Sequence, residues 1–195
     1  MDIPSCLTKR YRNKYWDGKI RLFNTQTGEI YVGLLDKLVS FCRRYEYEYQ
    51  FVDNKFYGTP FEENGMISLE GVGDYMKTIT RYEPRPYQIE GVHDALRFNR
   101  KLLISPTASG KSMMIYSIVR YMVDKGQDVL LVVPTTSLVE QMYKDFEDYG
   151  WDAEKYCHKI YSGREKYDNR PVTITTWQSI YKLEKKFFAR YGCVI

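Results

Sequence analysis

Residues 101–126, KLLISPTASGKSMMIYSIVRYMVDKG, constrain the fold more than any other part of the chain. KLLIS is an apolar run of strand type, and it leads into a short polar loop. Beyond the loop, Met114, Ile118, Val119 and Met122 recur at helical spacing, and Gly126 follows as a residue suited to end a helix. The loop itself carries the second half of the pattern G-x-x-x-x-G-K-[ST] in Gly110, Lys111 and Ser112, with Ser105 standing where the first glycine belongs. Strand, loop and helix in that order let backbone N–H groups curl around a phosphate at the positive end of the helix dipole. Pro106, Thr107, Ala108, Ser109 and Gly110 are the expected cradle. Lys111 is expected to reach phosphate oxygens and Ser112 to ligate Mg²⁺, so a nucleotide phosphate with Mg²⁺ is the expected ligand.

From residue 81 onward the chain alternates helix and strand patterns. YQIEGVHDALRFNR reads as a helix, DVLLVVP as a buried strand, and SLVEQMYKDFEDYG as a helix whose Ser137 and Glu140 fit a capping box. Further strands are expected at CHKIY, PVTITT and YGCVI, with a helix from about Gln178 to Arg190 before the last. Alternation of this kind, with continuous apolar strands, specifies an α/β fold: a parallel sheet with helices on both faces. Residues 1–80 have a different texture. Short strands around KIRLFNTQTGEIYVGL, with Gly28 in a turn, precede a helical segment in which Leu34, Leu38 and Phe41 share a face. A stretch with Gly58, Pro60, Gly65, Gly71 and Gly73 then reads as a loop-rich connection. The expected organisation is a small α+β domain over 1–80 and a P-loop α/β domain over 81–195.

With 195 residues, 44% of them hydrophobic, the chain can build a substantial core. No apolar run approaches a membrane span, and the first residues lack the apolar stretch of a signal peptide, so a cytoplasmic location without membrane partners is expected. Cys6, Cys42, Cys157 and Cys193 form no C-x-x-C pair and read as core thiols. The formal net charge of +4 is mild, but its distribution is not. Residues 1–25 carry Lys9, Arg10, Arg12, Lys14, Lys19 and Arg21 against two acids, with Tyr11, Tyr15, Trp16 and Phe23 between them. Cations that contact phosphates beside rings that stack on bases suit a nucleic-acid surface, and a solvated edge over a small core fits the same pattern.

The motif set resembles superfamily 2 helicases, in their first RecA-like domain, and the resemblance extends to RYRNKYWDGKIRLF in the first half. In RPYQ, Arg85 and Gln88 match the element in which a glutamine reads adenine, for which an amide is chemically suited. VVPTTSLVEQ resembles the motif whose Pro-Thr turn meets the DNA backbone, which implies contacts at Pro134, Thr135, Thr136 and Gln141. TITTWQSI resembles a later motif, which implies contacts at Thr176 and Gln178, and YSGRE adds a backbone contact at Ser162 and Gly163. Lys9, Arg10, Arg12, Trp16, Lys19 and Arg21 join the implied DNA surface.

The resemblance implies an ATP-dependent DNA helicase acting on branched or single-stranded DNA, by unwinding or branch migration in recombination, repair or replication. Two departures stand out. Ala108 replaces a common central glycine, and YGCVI would lead into an Asp-Glu-x-His motif that the sequence ending at Ile195 does not include. The α/β domain is therefore expected to be incomplete at its C-terminal end, with a helicase C-terminal half in the same or a separate chain, and these residues alone are expected to turn over little ATP. A catalytically inactive nucleotide- and DNA-binding product, or the motor subunit of a restriction enzyme, fits the same motifs.

Overall fold

The computed structural model describes residues 21–50, 67–98, 100–161 and 165–195. It divides into two units, Met1–Pro60 and Phe61–Ile195. In the first, an isolated antiparallel bridge joins Phe23 to Ile30 around a turn. The Asn24 side chain accepts from the backbone N–H groups of Gln26 and Thr27, and Gly28 supplies the left-handed residue at φ 71°. A 3₁₀ turn, Val32–Leu34, leads into helix α1, Leu35–Arg44. Of the side chains described in α1 only Val39 is buried, while Leu38 and Phe41 are exposed, so the expected apolar face is not covered among the described residues.

The second unit holds a parallel sheet in the order β2-β3-β1-β4, formed by β1 (Asp128–Val133), β2 (Cys157–Ile160), β3 (Val172–Thr176) and β4 (Tyr191–Val194). Its helices are α2 (Leu69–Ile79), α3 (Pro86–Arg97), α4 (Lys111–Asp124), α5 (Thr136–Asp148), α6 (Ala153–Tyr156), α7 (Trp177–Ile180) and α8 (Lys185–Phe188). Side chains alternate across a strand, and β1 shows the result. Val129, Leu131 and Val133 enter a core with Tyr116 of α4 and Val139, Met142 and Phe146 of α5. Leu130 enters another with Ile180 of α7 and Phe187 of α8. The expected α/β sheet with helices on both faces is therefore the one observed. A third cluster, Val72, Met76, Val92, Leu96, Met113, Met114 and Ile118, binds α2 and α3 to α4.

Several local expectations change. Gly71 and Gly73 lie inside α2, not in a connection. Ser68 caps this helix by accepting from the Gly71 N–H, and a Cβ on Gly73 would lie 3.4 Å from Ile89 of α3. That packing draws α2 into the second unit, so the division falls near residue 60 rather than 80. KLLIS forms no strand. No described strand pairs with it, and Leu102 and Ile104 are 82% and 90% exposed, because an apolar run becomes a strand only where a ladder partner is available. Helix α5 is capped by Thr135, whose hydroxyl accepts from the Leu138 N–H at 3.3 Å, rather than by Ser137. Glu140, the expected capping-box partner, instead meets Lys159 at 2.7 Å and the Tyr161 hydroxyl. The single helix expected over 178–190 is two short helices, α7 and α8. Cys157 is a core thiol as expected, and burial pushes its pKa up to about 12. No helix among the described residues is long and apolar enough to cross a membrane.

Candidate functional site

The loop from Ser105 to Gly110 is closed by its own side chains. Ser109 donates its hydroxyl proton to the Pro106 carbonyl at 2.8 Å, and the Ser105 hydroxyl bonds the Ser109 hydroxyl. Ser105, in the place of the pattern's first glycine, thus contributes a brace that glycine cannot. Ala108 and Gly110 both take left-handed backbone, at φ 64° and 75°. In a turn, left-handed residues help consecutive N–H groups converge on an anion. Alanine at that φ costs about 1 kcal/mol relative to glycine.

Helix α3 supports the loop from below its last residues. Gln88 is buried, its amide oxygen accepting from the Arg85 N–H at 2.8 Å and its amide nitrogen donating to the Ser109 carbonyl at 3.0 Å. The Tyr87 hydroxyl donates to the same carbonyl at 2.9 Å and accepts from Arg85 at 3.3 Å. The RPYQ element therefore touches the phosphate loop directly, and in this state the polar ends of the Gln88 amide are spent on backbone. A Cβ on Gly110 would fall 2.3 Å from the Gln88 amide nitrogen, so only glycine fits between the loop and this support.

Lys111, the first residue of α4, is exposed and folds its ammonium back onto the loop. It donates to the Pro106 carbonyl at 2.7 Å and the Ser105 carbonyl at 3.4 Å. An ammonium held by two neutral carbonyls can exchange them for phosphate oxygens, a stronger charge-assisted pairing. Ser112 is half-buried, and its hydroxyl is 2.8 Å from the Tyr149 hydroxyl beyond the end of α5. Burial pushes the Asp145 carboxyl above its usual range, while its interaction with the Ser112 hydroxyl pulls the other way. Burial also raises the Tyr149 phenol, which stays a neutral donor at physiological pH. Tyr82 and Tyr116 pack on the Tyr149 ring at 5.8 and 5.0 Å. Nothing in the sequence linked Ser112 to Tyr149. Tyr87 was legible only as a member of RPYQ.

A second group of residues gathers at the C-terminal ends of β1 and β3. Val133 pairs with Thr176, so Pro134–Thr136 and Trp177–Gln178 leave the sheet side by side. Ligands of open parallel sheets bind at this edge. Pro134, Thr135, Thr136, Gln141 and Gln178 are exposed there. Thr176 is not: its side chain is buried and its hydroxyl shares a 2.9 Å bond with Ser179, which turns the chain into α7. Arg21 is exposed in the first unit. Lys9, Arg10, Arg12, Trp16, Lys19, Ser162 and Gly163 lie outside the described residues.

Residues 81–193 match the family described as "Type III restriction enzyme, res subunit", and the chain belongs to that family. The resemblance to superfamily 2 helicases drawn from the motifs is borne out. Over 95% of its length the chain is similar, at 29% identity, to the ATP-dependent DNA helicase UvsW of Enterobacteria phage T4. It spans 38% of that relative. Two crystal structures of bacteriophage T4 UvsW superpose on 97% of the chain with TM-scores of 0.80 and 0.81 at 28% identity, over 69% and 39% of their own chains.

Proposed function

We propose that this chain binds ATP with Mg²⁺ at Pro106–Ser112 and DNA along the C-terminal edge of the sheet, as part of an ATP-dependent DNA helicase. The observation that carries the reading is the cradle itself: Ser109 and Gly110 held from beneath by Tyr87 and Gln88, opening directly into the N-terminus of α4 with Lys111 at its mouth. The left-handed backbone at Ala108 and Gly110, the space no Cβ can enter, and the two polar side chains that begin the helix fit a nucleoside triphosphate. Mg²⁺ bound with the nucleotide neutralises phosphate charge, and Ser112 is the residue that would hold it. Lys111 binds the phosphates, Arg85 stands beside the loop, and Gln88 reads the adenine edge once its amide exchanges its backbone partners for the base.

DNA is held through Pro134, Thr135, Thr136, Gln141 and Gln178, with Lys9, Arg10, Arg12, Trp16, Lys19 and Arg21 of the first unit adding charge and ring surface. Phosphate contacts of this kind carry no sequence information and suit movement along any DNA. The substrate is branched or single-stranded DNA, unwound or branch-migrated in recombination, repair or replication within a host cytoplasm. The partner is a helicase C-terminal half in the same or a separate polypeptide. The family's description favours a second reading, the motor subunit of a restriction enzyme. The helicase reading is preferred because similarity to UvsW extends well beyond residues 81–193.

Lys111→Ala is expected to weaken ATP binding at least about 100-fold, the effect of removing one charged partner from a phosphate, while DNA affinity and thermal stability stay within twofold and 2 °C or so of wild type. Equal ATP affinity in the two proteins would sink the proposal. Tyr149→Phe removes a neutral hydroxyl that competes for Ser112, a bond worth about 0.5–1.5 kcal/mol. ATP binding in the presence of Mg²⁺ is then expected to tighten about 2- to 10-fold, with binding in EDTA unchanged. Isothermal titration of both proteins reads this directly.

A further inference from the structure

The structure describes two tryptophans and treats them in opposite ways. Trp151 is buried, against Phe146, Tyr116 and Tyr156. Trp177 is 60% exposed, at the first position of α7 where β3 ends. The Tyr181 N–H donates to the Trp177 carbonyl at 3.0 Å, which makes one helical turn of the segment and sets the two rings on one face. Tyr181 is 52% exposed. The scaffold under them is fixed: Ile180 and Phe187 are buried with Leu130 and Ile160, and the Thr176–Ser179 bond holds the turn. Two large rings are therefore presented to solvent from a well-anchored turn.

Their surroundings select the occupant. Lys182 has its ammonium 5.4 Å from the Tyr181 ring centroid, and Lys185 and Lys186 of α8, a few residues further along the chain, are exposed, against one acid in the segment, Glu184. A basic, aromatic surface favours a polyanion with flat faces over an apolar protein partner. The side chain of Thr176 faces inward, so the hydroxyl expected to meet DNA at this edge is spent within the fold, and the outward groups are rings, an amide and ammoniums.

We propose that Trp177 and Tyr181 form a base-stacking platform for single-stranded nucleic acid, with Lys182, Lys185 and Lys186 holding the adjacent phosphates. This rests on the DNA-binding reading above and adds to it a preference: unpaired bases, whose faces are available to stack, bind here better than duplex. Base–aromatic stacking tolerates any sequence, in keeping with phosphate contacts at the neighbouring Pro134–Thr136 turn.

The test compares binding of fluorescein-labelled oligo(dT) and a blunt duplex by the 195-residue chain and its variants, across a salt series. Trp177→Ala is expected to weaken oligo(dT) binding roughly 5- to 100-fold with the salt slope unchanged, since stacking releases no counterions. Duplex binding should change less than about twofold, and Trp177→Phe should retain most of the single-strand affinity. Lys182→Glu/Lys185→Glu/Lys186→Glu should reduce the slope itself. Quenching of tryptophan fluorescence on oligo(dT) binding should be largely lost in Trp177→Phe. Wild-type affinity in both Trp177→Ala and Tyr181→Ala overturns the platform while leaving the DNA reading intact. Equal losses for duplex and single strand also overturn it. Failure of the wild-type chain to bind either nucleic acid overturns the DNA reading and the platform with it.

Discussion

Gly110→Val is expected to abolish nucleotide binding and to destabilise the second unit by about 2–5 kcal/mol. Two independent costs add. Gly110 sits at φ 75°, where a β-branched residue is strained. Its Cβ would lie 2.3 Å from the Gln88 amide nitrogen. That atom is at the end of a flexible side chain, but the chain is buried and held at both ends, by the Arg85 N–H and the Ser109 carbonyl. Gln88 can move only by giving up both bonds, and the Ser109 carbonyl then loses part of its support. Gly110→Ala should show the same signs at smaller size. Thermal denaturation and nucleotide titration check both effects, and a Gly110→Val protein with wild-type melting temperature would refute the close-approach argument.

Phe146→Ala is expected to cost about 3–5 kcal/mol, the range for emptying a fully buried aromatic site. Phe146 has no exposed surface and sits 5.3 Å from the Tyr116 ring and 5.9 Å from the Trp151 ring. Around it are Val129, Leu131 and Val133 of β1 and Val172 and Ile174 of β3. These are backbone-anchored positions of a central strand pair and cannot close over the gap. Tyr116 has a second duty there, donating to the Ile79 carbonyl at 2.7 Å, so relaxation of its ring would loosen the end of α2 as well. Denaturant titration should show an unchanged slope with a midpoint shifted by the full loss. A loss under about 1 kcal/mol would contradict the placement of Phe146 at the centre of the core.

The sheet and the loop were legible in the sequence because both depend on local pattern. DVLLVVP carries the continuous apolar run that a covered parallel strand buries, CHKIY, PVTITT and YGCVI are short segments containing Val, Ile, Thr or Tyr, and each became a strand. Gly110 and Lys111 announced the loop through residue types that few other structures require together. KLLIS carried the same local signal as the true strands and failed as a strand, because pairing is a property of two segments and the sequence states only one. The Ser137–Glu140 pattern also failed through a distant competitor, since Lys159 and Tyr161 claim Glu140 from across the fold.

The same distinction explains the site. Gln88 was legible as a nucleotide contact through the resemblance of RPYQ to a helicase element. That its amide braces the loop through the Ser109 carbonyl depends on how α3 packs on α4, through Val92, Leu96, Met113 and Met114. Tyr149 reaches Ser112 across 37 residues with no periodicity to mark it. Thr176 matched a DNA-contact motif by type, yet burial and Ser179 withdrew its hydroxyl, and Trp177, one residue on, took the outward position.

The function proposed for this chain depends on the loop from Pro106 to Ser112 holding the phosphates of a nucleotide. Isothermal titration of ATP into the wild-type chain, with Mg²⁺ and with EDTA, and into Lys111→Ala, measures it most directly. Saturable one-to-one binding is expected, tighter with Mg²⁺ and at least about 100-fold weaker in Lys111→Ala. Absence of binding by the wild-type chain, or binding indifferent to Lys111, would contradict it.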